Sequence, residues 1–173
     1  SSGAFVVSHE KNLGYDCALE TGLCSARDLN CKYAVTMDAD GQHDPMLLEI
    51  YRQELESGAE LVVGQRDRTQ RWSEMLFGTI TSMIWGLKDP LCGMKGYRIN
   101  LLMRFENLNT YQSIGTELAM RLVKGKVLMA QPKIKTRSRT GLSRFGSGLK
   151  ANIRIIKAMM RGLIVAPVLK ANG

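Results

Sequence analysis

Short apolar runs alternate along the first part of the chain with segments whose apolar residues recur at helical spacing. Residues 4–7, 33–37 and 60–63 have the β-prone, apolar composition of buried strands. Residues 15–26 and 45–56 lie between these runs and predict two helices. Strand, helix, strand, helix and strand in this order predict an α/β fold, with right-handed crossovers and a mainly parallel sheet.

The second part of the chain also alternates, although less regularly. Residues 65–71 form a charged loop, and residues 137–148 form a loop rich in arginine, serine and glycine. Apolar spacing predicts three further helices, and shorter apolar stretches predict two further strands. These helices are expected at residues 72–86, 114–124 and 149–165, and the strands within residues 88–98 and 127–135.

The net charge of +8 is unevenly distributed along the 173 residues. Residues 1–117 hold 11 of the 24 Lys/Arg and all 16 Asp/Glu, whereas residues 118–173 hold the other 13 Lys/Arg and no acidic residue. An acidic part followed by a strongly basic part indicates an anionic partner, which would be a phosphate, a nucleic acid or a membrane surface.

Composition narrows the class of protein and its compartment. A chain that is 45% hydrophobic and 23% charged is an ordinary globular protein, which excludes a collagen, a coiled coil and a disordered tail. The four cysteines match neither a zinc-ligand spacing nor a disulfide framework, so a reducing, cytoplasmic setting is expected. No apolar run reaches the roughly 18–20 residues that span a bilayer. Because the chain opens on Ser1 and not on Met, we expect it to be a piece of a longer polypeptide.

Two aspartates follow the second predicted strand. Asp38 and Asp40, with Gly41 and Gln42, stand at its carboxyl end, where open α/β sheets bind ligands. Gly41 permits a backbone bend that turns both carboxylates toward one point. Two carboxylates and an amide oxygen suit Mg²⁺ or Mn²⁺, and the alternative is an Asp-rich turn that caps the next helix. His43 is expected to be a solvated loop histidine and is left out of the ligand set.

Five ordered segments between about residues 5 and 148 resemble motifs of the family 2 glycosyltransferases, in particular the dolichyl-phosphate mannose synthase or polyprenyl-phosphate glycosyltransferase type. The sequence MDADGQHDP resembles the DAD-x-Q segment of that type. A second segment, Asn12-x-Gly14 with Ala18 and Gly22, resembles N-x-G-x-x-x-A-x-x-x-G, and a third, Gly64-Gln65-Arg66, resembles G-[ST]-R. A fourth segment, Asp89-x-x-x-Gly93 with Tyr97-Arg98, resembles D-x-x-x-G-[FM]-[RK]-x-[YF]. The fifth, Arg139-Thr140-Gly141-Leu142-Ser143-Arg144, resembles R-x-G-x-S-[KR]. Each match alone is weak, and their shared order makes the resemblance specific.

The resemblance implies a GT-A-type, Rossmann-like fold and an inverting transfer of a sugar from a nucleotide-sugar donor to a polyprenyl phosphate. It implies that Asp38, Asp40 and Gln42 hold the metal against the donor diphosphate. Asn12 and Gly14, together with Asp38, would bind the donor.

The same resemblance assigns the acceptor side of the reaction. It implies that the acceptor or donor phosphates are bound by Arg66, Arg139, Ser143 and Arg144, whose guanidinium groups match phosphate oxygens. Asp89, predicted as catalytic together with Asp40, would orient or deprotonate the acceptor. Positioning is favoured, because a phosphate with a second pKa near ~6 is already largely anionic at neutral pH.

The chain also departs from the family pattern. The family's opening P-x-[YF]-N-E and D-[DG]-x-S-x-D-x-T segments, which supply most of the base and ribose pocket, are not in this sequence. We therefore expect residues 1–148 to be a partial GT-A domain without its first strands. Residues 149–173 are expected to be a basic, amphipathic helical tail.

The basic C-terminal part leaves several alternatives open. The helix predicted at residues 149–165 would lie in a membrane interface, attracted by anionic headgroups, or would pack on the core with one solvated face. A membrane surface agrees with a lipid-linked acceptor and with a peripheral position on the cytoplasmic face. The rival classes are a nucleic-acid-binding module, although no nucleic acid is expected because aromatic residues and known motifs are scarce there, and an inactive remnant that keeps the fold.

Overall fold

The computed structural model describes residues 3–67, 71–105, 108, 113–137 and 149–164. The helices of these residues are α1 (Tyr15–Asp28), α2 (Leu47–Glu56), α3 (Trp72–Trp85), α4 (Ile99–Leu102), α5 (Ile114–Lys124) and α6 (Leu149–Ile164). The strands are β1 (Tyr33–Thr36), β2 (Leu61–Val63), β3 (Gln65–Arg66), β4 (Lys95–Arg98), β5 (Met129–Ala130) and β6 (Lys133–Ile134). The α/β class predicted from the sequence is confirmed.

The main sheet has the strand order β1-β4-β2-β5. Strand β4 is antiparallel to both β1 and β2, and β5 is parallel to β2, so three of these four strands run in one direction. The crossover through α2 therefore leaves a gap between β1 and β2, which β4 fills. Gly96 of β4 suits this position, because an added Cβ would lie 3.1 Å from Tyr51 Cδ1 and 3.2 Å from Leu55 Cδ1 of α2.

Three sequence predictions differ from the structure. Residues 4–7 are exposed and pair with no strand of the described chain; a strand forms only where a neighbour accepts its backbone hydrogen bonds. The single strand expected within residues 127–135 is two strands, because Pro132 separates β5 from β6. Strand β6 pairs in parallel with β3, which lies in the segment expected to be a charged loop.

Helix α6 packs against α3 and α5. Its Ile155 and Met159 are buried, and Lys124 of α5 donates a hydrogen bond to the carbonyl of Gly162 (2.6 Å). Among the two alternatives for this helix, these contacts favour a core-packing helix with one solvated face.

Candidate active site

A cleft of about 630 Å³ opens at the edge of the sheet where β1 and β2 end. Its wall includes four of the sequence-predicted site residues, Asp38, Asp40, Gln42 and Arg66, which come from two separate segments of the chain. The residues used below that line it are Tyr15, Asp38, Asp40, Gln42, His43, Arg66, Arg71, Glu74, Cys92, Gly93, Lys95, Gly115 and Thr136. The carboxyl ends of parallel strands meet at one edge, and for this reason distant segments converge here.

The carboxylate segment bends as the sequence predicts. Gly41 has a φ of 79°, a left-handed conformation that glycine adopts without a Cβ clash. The backbone N–H of Gln42 donates to Asp40 Oδ1 (3.1 Å), and the hydroxyl of Tyr15 donates to Asp38 Oδ1 (3.3 Å). Asp38, Asp40 and Gln42 therefore all reach the same cleft.

Gly93 provides the space for the Asp38 carboxylate. A Cβ added at Gly93 would lie 2.7 Å from Asp38 Cγ and closer still to Oδ2. Thr36, the last residue of β1, donates its hydroxyl to the carbonyl of Gly93 (3.1 Å) and ties the two segments together. The cradle formed by the Gly93 backbone thus places one carboxylate at the cleft wall.

The side-chain oxygens of Asp38, Asp40 and Gln42 fit a hard divalent cation that a phosphate also coordinates. Within the described residues, no three His, Cys, Asp or Glu side chains group as a complete metal site. Two carboxylates and one amide leave coordination positions for water and substrate oxygens, which is the usual arrangement of Mg²⁺ at phosphate sites. The residues present therefore fit Mg²⁺ or Mn²⁺ as a partner of a bound diphosphate.

Asp89 is held by a two-pronged ion pair with Arg66. Nε of Arg66 donates to Asp89 Oδ2 (2.8 Å), its Nη2 donates to Oδ1 (2.9 Å), and its backbone N–H also reaches Oδ2 (3.2 Å). Burial by itself lowers the pKa of Arg66, but the hydrogen bonds and charge of Asp89, and then the charge of Glu74, raise it above its usual value. Both oxygens of Asp89 are engaged, so this carboxylate is fixed in place.

The structure adds three charged residues to the site, Arg71, Glu74 and Lys95, which were not predicted from the sequence. Glu74 is buried and accepts hydrogen bonds from Arg66 Nη2 (3.0 Å) and Arg71 Nη1 (3.1 Å). Lys95 is also buried, which lowers its pKa, and its Nζ donates to the carbonyl of Cys92. The position of Lys95, two residues after Gly93, was a signal for it, since the matched family motif has Arg or Lys there.

His43 is a buried residue of the cleft wall, so the expectation of a solvated loop histidine is wrong. Burial lowers its pKa, and the charges of Asp38 and Asp40 oppose this shift only in part. Its two ring nitrogens have no hydrogen-bond partner within the described residues. The folded protein therefore favours the neutral imidazole.

Asn12 and Gly14 lie at the start of α1 and outside the cleft wall. The Asn12 side chain accepts a hydrogen bond from the backbone N–H of Gly14 (2.9 Å), which precedes the helix with a φ of 87°. Their part in donor binding stays a prediction. What they do position is α1, whose Tyr15 reaches Asp38.

The loop that contains Arg139, Ser143 and Arg144 lies outside the described residues. The described chain leads toward it from the cleft, because Thr136 lines the wall and the backbone N–H of Arg137 donates to the carbonyl of Gln42 (2.9 Å). Whether these three residues bind phosphate stays a prediction.

An α/β sheet of this topology, with aspartates and basic side chains at one edge, is the GT-A type of fold. The chain belongs to glycosyl transferase family 2, since the family model matches residues 1–142. The resemblance identified from the sequence motifs is thereby confirmed.

The chain is also similar to a curated protein and to solved structures. The chain is 41% identical over 61 residues to the UDP-N-acetylglucosamine–dolichyl-phosphate N-acetylglucosaminyltransferase of Methanococcus voltae, a match that covers 35% of this chain and 24% of that protein. The fold of this chain is similar to that of glucosyl-3-phosphoglycerate synthase of Mycobacterium tuberculosis with Mn²⁺, UDP and phosphoglyceric acid bound (TM-score 0.67, 17% identity, 90% of this chain and 56% of that one). The same enzyme with UDP gives a TM-score of 0.66 at 16% identity, over 90% of this chain and 57% of that one. The chain thus spans about a quarter of the curated relative and just over half of these structures.

Proposed function

We propose that this chain carries the sugar-transfer site of a hexosyltransferase that moves a sugar from a nucleotide-sugar donor to a polyprenyl phosphate, with inversion. The observation that carries this proposal is one cleft that joins the carboxylates of Asp38 and Asp40 to the basic side chains of Arg66, Arg71 and Lys95. Metal-binding carboxylates beside cationic groups suit a diphosphate donor and a phosphate acceptor. The name of the Methanococcus voltae relative, with its UDP-sugar and dolichyl phosphate, supports these two substrate classes.

Asp38, Asp40 and Gln42 are the residues that would hold Mg²⁺ or Mn²⁺. When bound, the cation supplies positive charge that stabilises the leaving diphosphate. The chain's own contribution is to orient the ligands: the Gly93 backbone makes room for Asp38, and the Gln42 N–H holds Asp40. The structural relative with Mn²⁺ and UDP bound supports this class of cofactor.

The transfer itself needs little proton chemistry from the protein. An oxygen of the acceptor phosphate forms a bond to the anomeric carbon, and the bond from that carbon to the diphosphate oxygen breaks with its electron pair leaving on the nucleotide. The acceptor is already anionic at neutral pH, since its second pKa is near ~6. Asp89, engaged by Arg66 through both oxygens, therefore acts by holding the guanidinium at the cleft wall. Arg139, Ser143 and Arg144 are proposed as further phosphate ligands.

The proposed acceptor also implies a place in the cell. A polyprenyl phosphate lies in a bilayer, so the protein would act as a peripheral protein at the cytoplasmic face of a membrane. None of the described helices is both long and apolar enough to cross a bilayer. We keep residues 1–148 as the partial GT-A domain and residues 149–173 as a basic helical tail in this proposal.

The test is calorimetric titration of the chain with a UDP-sugar in the presence and absence of Mn²⁺. We expect Asp38→Asn and Asp40→Asn each to abolish the Mn²⁺-dependent binding, because each removes an anionic ligand. Asp28→Asn is the matched control: Asp28 is the last residue of α1 and lies outside the cleft wall, where its Oδ1 accepts a hydrogen bond from Nε of the neighbouring Arg27 (2.9 Å). This variant should bind as the wild-type chain does.

Two results would count against the proposal. Mn²⁺-dependent binding that survives both variants would mean that these aspartates are not the metal ligands. A wild-type chain that binds DNA or RNA, but no UDP-sugar at any Mn²⁺ concentration, would favour the nucleic-acid alternative, and neither substitution should then change that binding.

A further inference from the structure

Helix α3 has the reverse of the usual polarity for a surface helix. Its solvent-facing side carries large apolar side chains, and its buried side is mostly small or polar. The exposed residues, called here the α3 apolar face, are Trp72, Met75, Leu76, Met83 and Ile84, and the buried ones are Ser73, Glu74, Phe77, Gly78 and Thr81. A helix that packs only on its own protein directs its apolar stripe toward the core. The exposed stripe of α3 therefore indicates a partner outside the described chain.

The orientation of α3 is fixed by its polar contacts. Ser73 donates its hydroxyl to the Asn152 side chain of α6 (2.6 Å), and Thr81 donates to the carbonyl of Leu87 (2.6 Å). Glu74 is paired with two arginines at the cleft wall. A rotation of α3 that buried the apolar face would break each of these contacts and leave buried polar groups unsatisfied, at a cost of about 1–3 kcal/mol for each group. The apolar face stays outward because its opposite side is committed to the site.

The α3 apolar face begins at the rim of the cleft. Arg71 and Glu74 line the cleft, and Trp72 and Met75 stand in the same helical turn with their side chains exposed. A binding partner that covers the α3 apolar face is thus next to the cleft entrance. A lipid-linked phosphate held in that partner would lie directly beside the basic residues of the site.

Charge complementarity indicates which partner covers the face. Glu74 is the one charged residue of α3 and is buried, so the apolar face itself is uncharged. An exposed basic residue, Lys88, follows the helix shortly after its end, whereas Arg71 directly before the helix is mostly buried and paired with Glu74. An apolar stripe with a tryptophan at one end and an exposed cation beyond the other is typical of a helix that lies in the interface of an anionic bilayer. A second copy of a chain with net charge +8 would instead be repelled.

We infer that the α3 apolar face is the surface by which this protein docks on an anionic phospholipid bilayer, with the cleft entrance at the membrane surface. The helix has 14 residues, a length of about 21 Å, and lies along the surface without crossing it. The inference deepens the proposed function and depends on it for the lipid-linked substrate. It also moves the membrane contact from α6, whose Ile155 and Met159 are buried, to α3.

The test is co-sedimentation with vesicles of phosphatidylcholine and phosphatidylglycerol that contain no polyprenyl phosphate. Met75→Ser/Met83→Ser removes two thioether side chains from the face, and we expect its vesicle partition coefficient to fall about tenfold or more. Met46→Ser is the matched control, because Met46 is 79% exposed beside α2 and Met83 is 82% exposed on α3. Mn²⁺–UDP titration of the same proteins without vesicles reports separately on the cleft.

Each outcome decides the matter. A loss of vesicle binding in the α3 variant, but not in the Met46 variant, supports the docking surface. Equal binding by all three proteins, or no binding by the wild-type chain, overturns it. A wild-type dimer in analytical ultracentrifugation that the α3 variant converts to a monomer, without vesicle binding, also overturns it in favour of a second copy. Vesicle binding that follows the face in a protein without Mn²⁺–UDP binding supports the surface and counts against the proposed function alone.

Discussion

Gly93→Ala tests whether the position of the Asp38 carboxylate controls metal and nucleotide binding. The new methyl carbon would lie 2.7 Å from Asp38 Cγ, whereas carbon atoms in ordinary contact are about 3.5–4.0 Å apart. The carboxylate, as the free end of a side chain, must therefore move by about 1 Å. The φ of Gly93 is not in the left-handed region, so the backbone itself accepts alanine without strain.

A shift of this size matters more for binding than for folding. Mg²⁺ requires oxygen ligands at about 2.0–2.1 Å in near-octahedral geometry, and a carboxylate displaced by about 1 Å no longer meets that distance. Changes to the groups that orient metal ligands typically cost about 10–100-fold in affinity. We expect Mn²⁺-dependent UDP binding to weaken by that factor, equivalent to about 1.4–2.7 kcal/mol. The free energy of unfolding should change by about 1 kcal/mol or less, because only one side chain moves.

The assay is calorimetric titration with UDP at fixed Mn²⁺, together with denaturant unfolding of each protein. Gly115→Ala is the matched control, since its methyl group would enter the same cleft at ordinary contact distance, 3.8 Å from Leu19 Cδ2 and 3.9 Å from Lys95 Nζ. Wild-type affinity in Gly93→Ala would refute the argument, because the Asp38 carboxylate would then not need its present position. An equal loss in both variants would also refute it, by pointing to general crowding of the cleft.

Two further predictions concern the buried charges. Asp89→Asn should lower the free energy of unfolding by about 2–3 kcal/mol, because it leaves Arg66 without its two-pronged partner, and it should lower kcat without changing the shape of the pH–rate profile. Loss of the acidic limb of that profile would instead identify Asp89 as a general base. Burial holds the pKa of His43 in the folded protein below its ordinary value of 6.5. As the pH decreases, the unfolded chain therefore binds a proton at His43 before the folded chain does. The free energy of unfolding should fall as the pH decreases from 7 through 6.5 toward the lower folded-state pKa. Urea unfolding in metal-free buffer at several pH values should show a shallower decline in His43→Gln, and equal slopes would contradict this account.

Local sequence patterns predicted most of the helices and strands to within a few residues of their observed bounds. The helix at residues 45–56 begins as α2 at Leu47, and the helix expected at residues 15–26 extends to Asp28. The place of β4 between β1 and β2 was not predictable, since strand order depends on pairing between segments that are distant in sequence. Residues 4–7 show the same limit, because an apolar run becomes a strand only beside a partner.

The site shows a similar division. Asp38, Asp40 and Gln42 were identified because they follow a strand and match a motif, and the bend at Gly41 follows from glycine alone. The engagement of Asp89 by Arg66 was hidden, although both had been named separately, since no local pattern shows that residues 23 positions apart form an ion pair.

The sequence by itself determined the α/β class, the family and the identity of the carboxylates at the strand end. These features depend on residue type and short spacing, which the linear chain displays directly. Only the tertiary structure decided which residues share the cleft and how α3 is oriented. Glu74 must meet Arg66 and Arg71, so the polar side of α3 points inward and Met83 points outward. Periodicity shows that a helix has two faces, but the charges on neighbouring elements decide which face is buried.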